Sequence, residues 1–185
     1  TLFRSPQKGW SSTPCAGLVM LSGRALEVVE ESTSTSFACD LKKWLQIMQA
    51  YEGGGHAYHA TMPTDGLRQF RDTLGETGSF GFEAARQAQL ELGRRVRSLL
   101  EEAGFASVAA PGFQAPGVVV SYTDDPAIQN GSRFAERGLQ IAAGVPLMCG
   151  EPEDYRSFRI GLFGLDKLAD IGGTADRLGK ALATL

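Results

Sequence analysis

Lys8 is the residue of this sequence whose type and setting best suit covalent chemistry. It lies in the segment SPQKGW at residues 5–10, among small residues and glycine and close to a predicted strand. A lysine amine is a nucleophile only when it is neutral, and burial or nearby cations readily lower the pKa of a lysine. A lysine in this setting can therefore hold an aldehyde as a Schiff base.

Two hydroxyl side chains stand close together in a later segment, YHATMP at residues 58–63. Tyr58 and Thr61 could bind a phosphate, because hydroxyls donate hydrogen bonds without carrying a full charge. The alternative is a tyrosine packed under a loop and a threonine that begins the turn at Pro63. His59 lies between them, and we expect it to pack or to make a supporting hydrogen bond rather than to act in catalysis.

Arg159 is a single charge in the otherwise apolar segment Phe158–Phe163. A planar guanidinium binds a carboxylate through two parallel hydrogen bonds, which a lysine cannot reproduce. A charge among apolar neighbours needs a partner. The partner could be a substrate carboxylate or, in a purely structural role, one of three nearby acidic residues: Glu151, Glu153 and Asp154.

The elements that must position these residues alternate between helices and strands, which predicts an α/β fold. A short strand is predicted at residues 16–22. Asp40 is a candidate N-cap for a helix, and Thr64 for the next helix. The spacing of apolar residues in the first of these helices predicts one inward stripe: Leu41, Trp44, Leu45, Met48 and Tyr51. A longer helix is predicted from Phe82 to Ala103, where Gly93 costs up to about 1 kcal/mol relative to alanine. Its predicted buried face is Ala85, Ala88, Leu92, Val96, Leu99, Leu100 and Ala103.

The second half of the chain is richer in β-branched residues. Strands are predicted at residues 117–123, 139–143 and 157–163. Asp125 followed by Pro126 predicts a helix that runs to about Arg137, and a last helix is predicted between Asp166 and Leu185. We place a domain boundary near residues 77–82, which gives domains at 1–81 and 82–185.

The composition excludes several classes of function. The net charge is −3 and no block of Lys and Arg is present, so a nucleic-acid or membrane-surface partner is not expected. His56 and His59 have no cysteine near them, which disfavours a metal site. Cys15, Cys39 and Cys149 are odd in number and widely spaced, as expected of reduced thiols in a cytoplasmic protein.

The order of the motifs PQKG, YHATMP and RIGLFG resembles that of the class V aminotransferases, which depend on pyridoxal 5′-phosphate (PLP). Within that class the resemblance is strongest to the alanine–glyoxylate and serine–pyruvate group. It extends from about Pro6 to the C-terminus and corresponds to the C-terminal half of those enzymes. It implies fold type I, with residues 1–81 a remnant of the large PLP-binding domain and residues 82–185 a small α/β domain with a short mixed or antiparallel sheet.

The resemblance also implies roles for five residues. Lys8 is expected to form the Schiff base with PLP and then to move a proton from the substrate Cα, and Gln7 to adjoin the cofactor. Glutamine before the lysine favours aminotransferases over cysteine desulfurases, which usually have histidine there. Tyr58 and Thr61 are expected to bind the PLP phosphate of a neighbouring subunit in a homodimer, and Arg159 the substrate α-carboxylate.

The implied reaction transfers an amino group from a small amino acid, such as alanine or serine, to a 2-oxo acid such as glyoxylate or pyruvate. Two alternatives remain open at this point: a non-catalytic α/β dimerisation fragment, and a PLP-dependent lyase or desulfurase of the same class. The N-terminal half would supply the ring-stacking group, the partner of the pyridine nitrogen and most phosphate donors. We therefore expect the isolated chain to bind PLP weakly and to have negligible activity.

The sequence begins at Thr1 without a methionine, and residues 1–5 read like a translated adapter tail. We expect a truncated reading frame, although a proteolytic or cloned fragment would begin in the same way. These five residues are therefore left out of the fold prediction.

Overall fold

The computed structural model describes residues 2–185, and Thr1 lies outside the described part. The chain divides into two compact units. The first contains residues 2–8 and Ser12–Thr73, and the second contains Gly9–Ser11 and Leu74–Leu185. The elements in chain order are β1 (Leu2–Arg4), β2 (Leu18–Met20), α1 (Gly23–Glu31), α2 (Leu41–Glu52), α3 (Thr64–Phe80), α4 (Phe82–Glu102), β3 (Val118–Tyr122), α5 (Pro126–Gln129), α6 (Ser132–Ala135), β4 (Ala142–Ala143), β5 (Ser157–Gly161), α7 (Leu165–Ala169) and α8 (Ile171–Leu182).

The first unit contains a two-stranded antiparallel sheet in which β1 pairs with β2. The strand at Leu2–Arg4 lies within the five residues that the fold prediction left out, so the prediction did not include it. Strand β2 is shorter than predicted because Ser22 is the N-cap of α1, and its Oγ accepts a hydrogen bond from the Ala25 N–H at 3.3 Å. Helix α1 itself was not predicted.

Helix α2 begins where its sequence predicts. The Asp40 carboxylate accepts a hydrogen bond from the Lys43 N–H at 3.0 Å and so satisfies one of the free donors of the first turn. The buried residue of this helix is Ile47, whereas Met48 and Tyr51, which the predicted stripe placed inward, are 59% and 60% exposed. The apolar side of α2 is therefore only partly covered within the chain.

Helix α4 carries much of the core of the second unit. Leu92, Val96 and Leu100 are buried along one side of it, as the predicted stripe requires. Gly93 lies on this side because the backbone of Pro116 crosses the helix there, so that a Cβ on Gly93 would lie 2.6 Å from the Pro116 carbonyl oxygen. The glycine that weakens the helix in isolation thus permits a close approach in the folded unit.

The sheet of the second unit has three antiparallel strands in the order β3-β5-β4, with β5 in the centre. The register pairs Val119 with Ile160, and Arg159 with both Val120 and Ala142. Helix α4 packs against β3, α7 and α8. The core that results is made of aliphatic and aromatic residues from every layer: Leu92, Val96, Leu100, Val119, Ile128, Phe134, Phe158, Ile160, Leu162, Leu168 and Leu178.

Three predicted elements of the second unit differ from the structure. Two short helices replace the helix predicted from Pro126 to Arg137. Gly131 adopts a left-handed conformation with φ of +82°, which interrupts the helical hydrogen bonds between them. The last helix is likewise two, since Asp170 ends α7 and its carboxylate caps α8 at the Gly173 N–H, 2.9 Å away. The strand predicted at residues 139–143 is reduced to Ala142–Ala143.

No helix within residues 2–185 is long and apolar enough to cross a membrane. The same residues contain no group of three or more His, Cys, Asp or Glu side chains that could hold a metal ion.

Candidate active site

Lys8 lies in the loop that connects β1 to β2. The loop turns at once after Arg4, and its backbone is held by two hydrogen bonds, from the Lys8 N–H to the Ser5 carbonyl at 3.4 Å and from the Ser12 N–H to the Pro6 carbonyl at 3.1 Å. Pro6 is buried, whereas the side chains of Gln7 and Lys8 are exposed. The loop is therefore anchored through its proline and presents the lysine to its surroundings.

Ser12 is a further residue of this loop, and no sequence motif singles it out. It is 7% exposed, and its Oγ has no hydrogen-bond partner among residues 2–185. A buried hydroxyl without a partner costs about 1–3 kcal/mol, so an unpaired one needs an explanation such as a ligand. A polar Ser11-Ser12 pair in a loop carries no sequence signal of burial, which is why the motif analysis missed it.

Tyr58 and Thr61 lie together between α2 and α3. The Tyr58 hydroxyl and the Thr61 Oγ1 are 3.3 Å apart, and both side chains are exposed, Tyr58 to 77%. The tyrosine is therefore not packed under a loop, which was the structural alternative. Two adjacent exposed hydroxyls form a pair of donors that could bind one anion.

His59 anchors the segment that carries this pair. Its Nε2 lies 3.0 Å from the Phe37 carbonyl oxygen, and its ring lies 4.2 Å from the Phe37 ring and 5.0 Å from the Trp44 ring, centroid to centroid. The Trp44 indole N–H donates to the Ala38 carbonyl at 2.8 Å. These contacts give His59 a packing and hydrogen-bonding role, in agreement with the sequence expectation.

Arg159 is half-buried at the centre of the three-stranded sheet. Its Nε donates to the Ala143 carbonyl at 2.8 Å. Within the described part of the chain, its two terminal nitrogens make no ion pair or hydrogen bond, so none of the acidic residues considered from the sequence pairs with it. A guanidinium fixed at Nε and open at both terminal nitrogens suits bidentate binding of a carboxylate.

Glu151 is occupied elsewhere. Its carboxylate accepts hydrogen bonds from the backbone N–H groups of Leu147, Met148 (2.8 Å) and Cys149 (2.9 Å). These hydrogen bonds lower the pKa of Glu151 to about 2, and the bond from the Cys149 N–H has the largest effect. The carboxylate is therefore ionised at neutral pH and held by the loop before β5.

The predicted site residues are distributed over both units. Gln7, Lys8, Tyr58 and Thr61 lie in the first unit, and Arg159 lies in the second. Tyr58 and Thr61 lie within hydrogen-bond distance of each other. A surface groove of about 470 Å³ between α4 and α8 is lined by none of the five.

Comparison with solved structures shows the fold. An alanine–glyoxylate aminotransferase from Nostoc sp. matches 97% of this chain with a TM-score of 0.75 at 20% identity. An aspartate aminotransferase from Thermus thermophilus matches 97% with a TM-score of 0.73 at 24% identity, and a ureidoglycine–glyoxylate aminotransferase from Bacillus subtilis matches 98% with a TM-score of 0.66 at 16% identity.

The chain has an aminotransferase fold. This confirms at the level of the fold the resemblance seen in the sequence motifs. The chain spans 46–47% of the length of these three structures, which means that it corresponds to about half of such a chain. No protein-family model matches the sequence, and no curated protein matches it. The assignment of individual site residues therefore depends on the motifs and on the local geometry.

Proposed function

We propose that the full-length protein is a PLP-dependent aminotransferase and that this chain is its C-terminal half. The transferred amino group comes from a small amino acid, alanine or serine, and the acceptor is glyoxylate or pyruvate. The observation that carries this proposal is the coincidence of three ordered motifs with a fold shared over 97% of the chain with an aminotransferase. A fold alone does not determine function, and the motifs supply the chemistry.

The residues present fit PLP. Lys8 offers a primary amine, the group with which an aldehyde condenses, on a loop whose backbone is anchored by hydrogen bonds. Tyr58 and Thr61 offer two adjacent hydroxyls that suit a phosphate. Ser12 adds a buried hydroxyl to the loop of Lys8, and this hydroxyl has no hydrogen-bond partner among residues 2–185. We assign Lys8, Gln7, Tyr58 and Thr61 to the cofactor on this basis.

The cofactor, when bound, supplies a pyridine ring that accepts the electrons released at the substrate Cα. Once the incoming amino acid has displaced it, the amine of Lys8 would take the proton from that carbon as a general base and donate it to C4′ of the cofactor as a general acid. Arg159 binds the α-carboxylate through its two open terminal nitrogens and so fixes the orientation of the Cα–H bond. Tyr58 and Thr61 bind the phosphate and so hold the pyridine ring in position.

The assembly that we propose is a cytoplasmic homodimer, in which Tyr58 and Thr61 bind the phosphate of the neighbouring subunit. Several apolar side chains of the first unit are exposed, which favours burial of this surface against another subunit. They include Leu2, Phe3, Met20, Met48 and Tyr51. The three cysteines are free thiols, which suits a reducing compartment. The isolated chain is expected to bind PLP weakly, and a titration that showed tight, Lys8-dependent uptake would contradict this.

The absorption spectrum of the full-length protein tests the proposal. Purified with PLP, it should show the visible band of the covalently held cofactor, and Lys8→Ala should abolish that band. Lys43→Ala, which removes a lysine on α2 in the same unit, should leave it unchanged. Retention of the band in Lys8→Ala would refute the assignment of the lysine.

An amino-acceptor assay tests the reaction class separately. The protein with PLP should convert glyoxylate or pyruvate to glycine or alanine when a small amino acid is supplied. Release of sulfide from cysteine, without amino transfer to either acceptor, would identify a desulfurase instead.

A further inference from the structure

The loop between β4 and β5, residues 144–156, is closed on itself by one side chain. Glu151 accepts hydrogen bonds from the backbone N–H groups of Leu147 and Met148 at Oε1 and of Cys149 at Oε2. A carboxylate bound by successive backbone N–H groups forms charge-assisted bonds that are roughly twice as strong as neutral ones. Glu151 thus fixes the shape of the outer part of this loop, which we call the Glu151 loop.

The stem of the Glu151 loop is joined to the strand that carries Arg159. The Ala143 carbonyl accepts the hydrogen bond from Arg159 Nε at 2.8 Å, and the next residue, Gly144, donates its N–H to the Ser157 carbonyl at 2.8 Å. The approach is so close that a Cβ on Gly144 would lie 1.9 Å from Ser157 Oγ. The loop therefore leaves the sheet at the same place where the guanidinium is held.

The clamped segment has a conformation that it would not adopt unaided. Met148 has a φ of +59°, which is unfavourable for a residue with a side chain, and it is 90% exposed, so burial of its own side chain does not hold it there. The hydrogen bonds from its own N–H and those of its two neighbours to Glu151 stabilise this backbone. Without the carboxylate, three donors are released and the loop gains freedom down to its stem at Gly144.

We infer that Glu151 is a positioning residue for substrate binding: by holding the Glu151 loop it keeps the Ala143 carbonyl in place, and that carbonyl orients the guanidinium of Arg159. The inference rests on the proposed function, since it assumes that Arg159 binds the substrate carboxylate. It assigns to an acidic residue outside the sequence motifs a share in the recognition of the amino acid. The lowered pKa of Glu151 has the same origin, since backbone N–H groups that donate to the carboxylate favour its ionised form.

Steady-state kinetics of the full-length protein loaded with PLP test the inference. Glu151→Ala should raise the KM for the amino donor about 5–10-fold and change kcat less than about twofold, because a binding contact present in both ground and transition state is weakened. Glu153→Ala is the matched control, since Glu153 is an exposed acid of the same loop without a hydrogen bond or ion pair in the described structure. Equal KM values for Glu151→Ala, Glu153→Ala and the unmodified protein would overturn the inference.

Glu151→Gln is the conservative variant. Its amide oxygen can still accept from Leu147 and Met148, whereas its NH2 group faces the Cys149 N–H. We expect the KM of this variant to lie between those of the unmodified protein and Glu151→Ala. A KM as high as that of Glu151→Ala would contradict a role based on accepted hydrogen bonds.

A double-mutant cycle with Arg159→Lys separates this inference from the proposed function. Arg159→Lys alone should raise the KM, and an unchanged KM would reject the substrate role of Arg159 itself. In the Arg159→Lys background, Glu151→Ala should add less than about twofold, because the guanidinium that it orients is gone. A full 5–10-fold addition would show that Glu151 acts independently of Arg159 and would overturn the inference alone.

Amide hydrogen exchange supplies a readout that does not depend on activity. In Glu151→Ala the N–H groups of Leu147, Met148 and Cys149 should exchange faster, whereas that of Ile160 in β5 should not change. Unchanged exchange at all three positions would show that the carboxylate does not hold the loop and would contradict the inference.

Discussion

The two units position their predicted site residues by different means. In the first unit, Lys8, Tyr58 and Thr61 lie on loops and are exposed, and the described buried apolar residues are Val29, Ile47 and Phe70. In the second unit, Arg159 lies on the central strand of a sheet that packs on a continuous core. The comparison indicates that Arg159, the predicted carboxylate-binding residue, is supported within its own unit, whereas the predicted cofactor-binding residues depend on local anchors such as Pro6 and His59.

Truncation of one core residue is the strongest test of the difference between the two units. Phe158 is fully buried in the second unit, between Phe105 at 5.2 Å and Phe134 at 5.5 Å, ring to ring. Phe158→Ala should lower the free energy of unfolding by about 3–5 kcal/mol. Met48→Ala, at an exposed position in the first unit, should change it by less than about 0.5 kcal/mol. Urea denaturation measures both, and comparable losses would contradict the difference between the units.

Two helix glycines of the second unit test how closely its core is packed. Gly93→Ala should destabilise by about 1–3 kcal/mol, because the new Cβ would lie 2.6 Å from the Pro116 carbonyl oxygen and force the two segments apart. Gly179→Ala on α8 is the control: its nearest contact would be Leu99 at 3.8 Å, so it should stabilise by up to about 1 kcal/mol. Thermal unfolding of both variants checks the opposite signs.

One helix cap in each unit tests whether the cap controls the opening of its own helix. Asp40→Ala removes the acceptor for the Lys43 N–H and should cost about 1 kcal/mol in α2. Asp170→Ala removes the corresponding acceptor for the Gly173 N–H in α8 and should cost a similar amount. Hydrogen exchange should show faster opening of α2 alone in the first variant. Equal protection of α2 in both variants would argue against local control by the cap.

The smallest expected effect concerns the exposed charges of α4. Hydrogen bonds from Arg94 and then Arg95 lower the pKa of Glu91 to about 2. A carboxyl group with a lowered folded-state pKa adds stability above its unfolded pKa of about 4.3, and this contribution is lost as the pH falls towards 2. Glu91→Gln should therefore reduce the loss of stability between pH 5 and about 2 only slightly, because the ion pairs are exposed. Acid unfolding of both proteins, followed by circular dichroism, measures the difference.

Sequence patterns predicted the elements that local rules determine. The cap at Asp40, the buried stripe of α4 and the start of α5 at Pro126 were all correct, since each depends on residues within one or two turns. The break at Gly131 was missed because apolar periodicity does not report a positive φ. The strand at Leu2–Arg4 was not predicted because residues 1–5 were left out of the fold prediction, and only its pairing with Leu18–Met20 reveals it.

The candidate site was predictable only in part for a similar reason. The residue types of Lys8, Tyr58, Thr61 and Arg159 are visible in the sequence, whereas the contact between Tyr58 and Thr61 depends on the bend of the chain at residues 59–60. The role of Glu151 was not visible. From the sequence it was a candidate partner for Arg159, but its hydrogen bonds go to three N–H groups whose directions depend on the loop conformation. The roles assigned to the site residues stay predictions until the variants are measured.

The close approach of Gly144 to Ser157 has a consequence for how such a protein can diversify. Because no side chain fits at Gly144, the junction with the sheet is constrained, whereas residues 145–156 between the two anchor points carry several exposed apolar side chains. If Glu151 positions Arg159 as we infer, sequence changes in that interval should leave the guanidinium in place only when they keep the Glu151 carboxylate and the three backbone N–H groups that it accepts from. A library randomised at Val145, Leu147 and Met148, with Glu151 retained, would show which surface changes the loop tolerates.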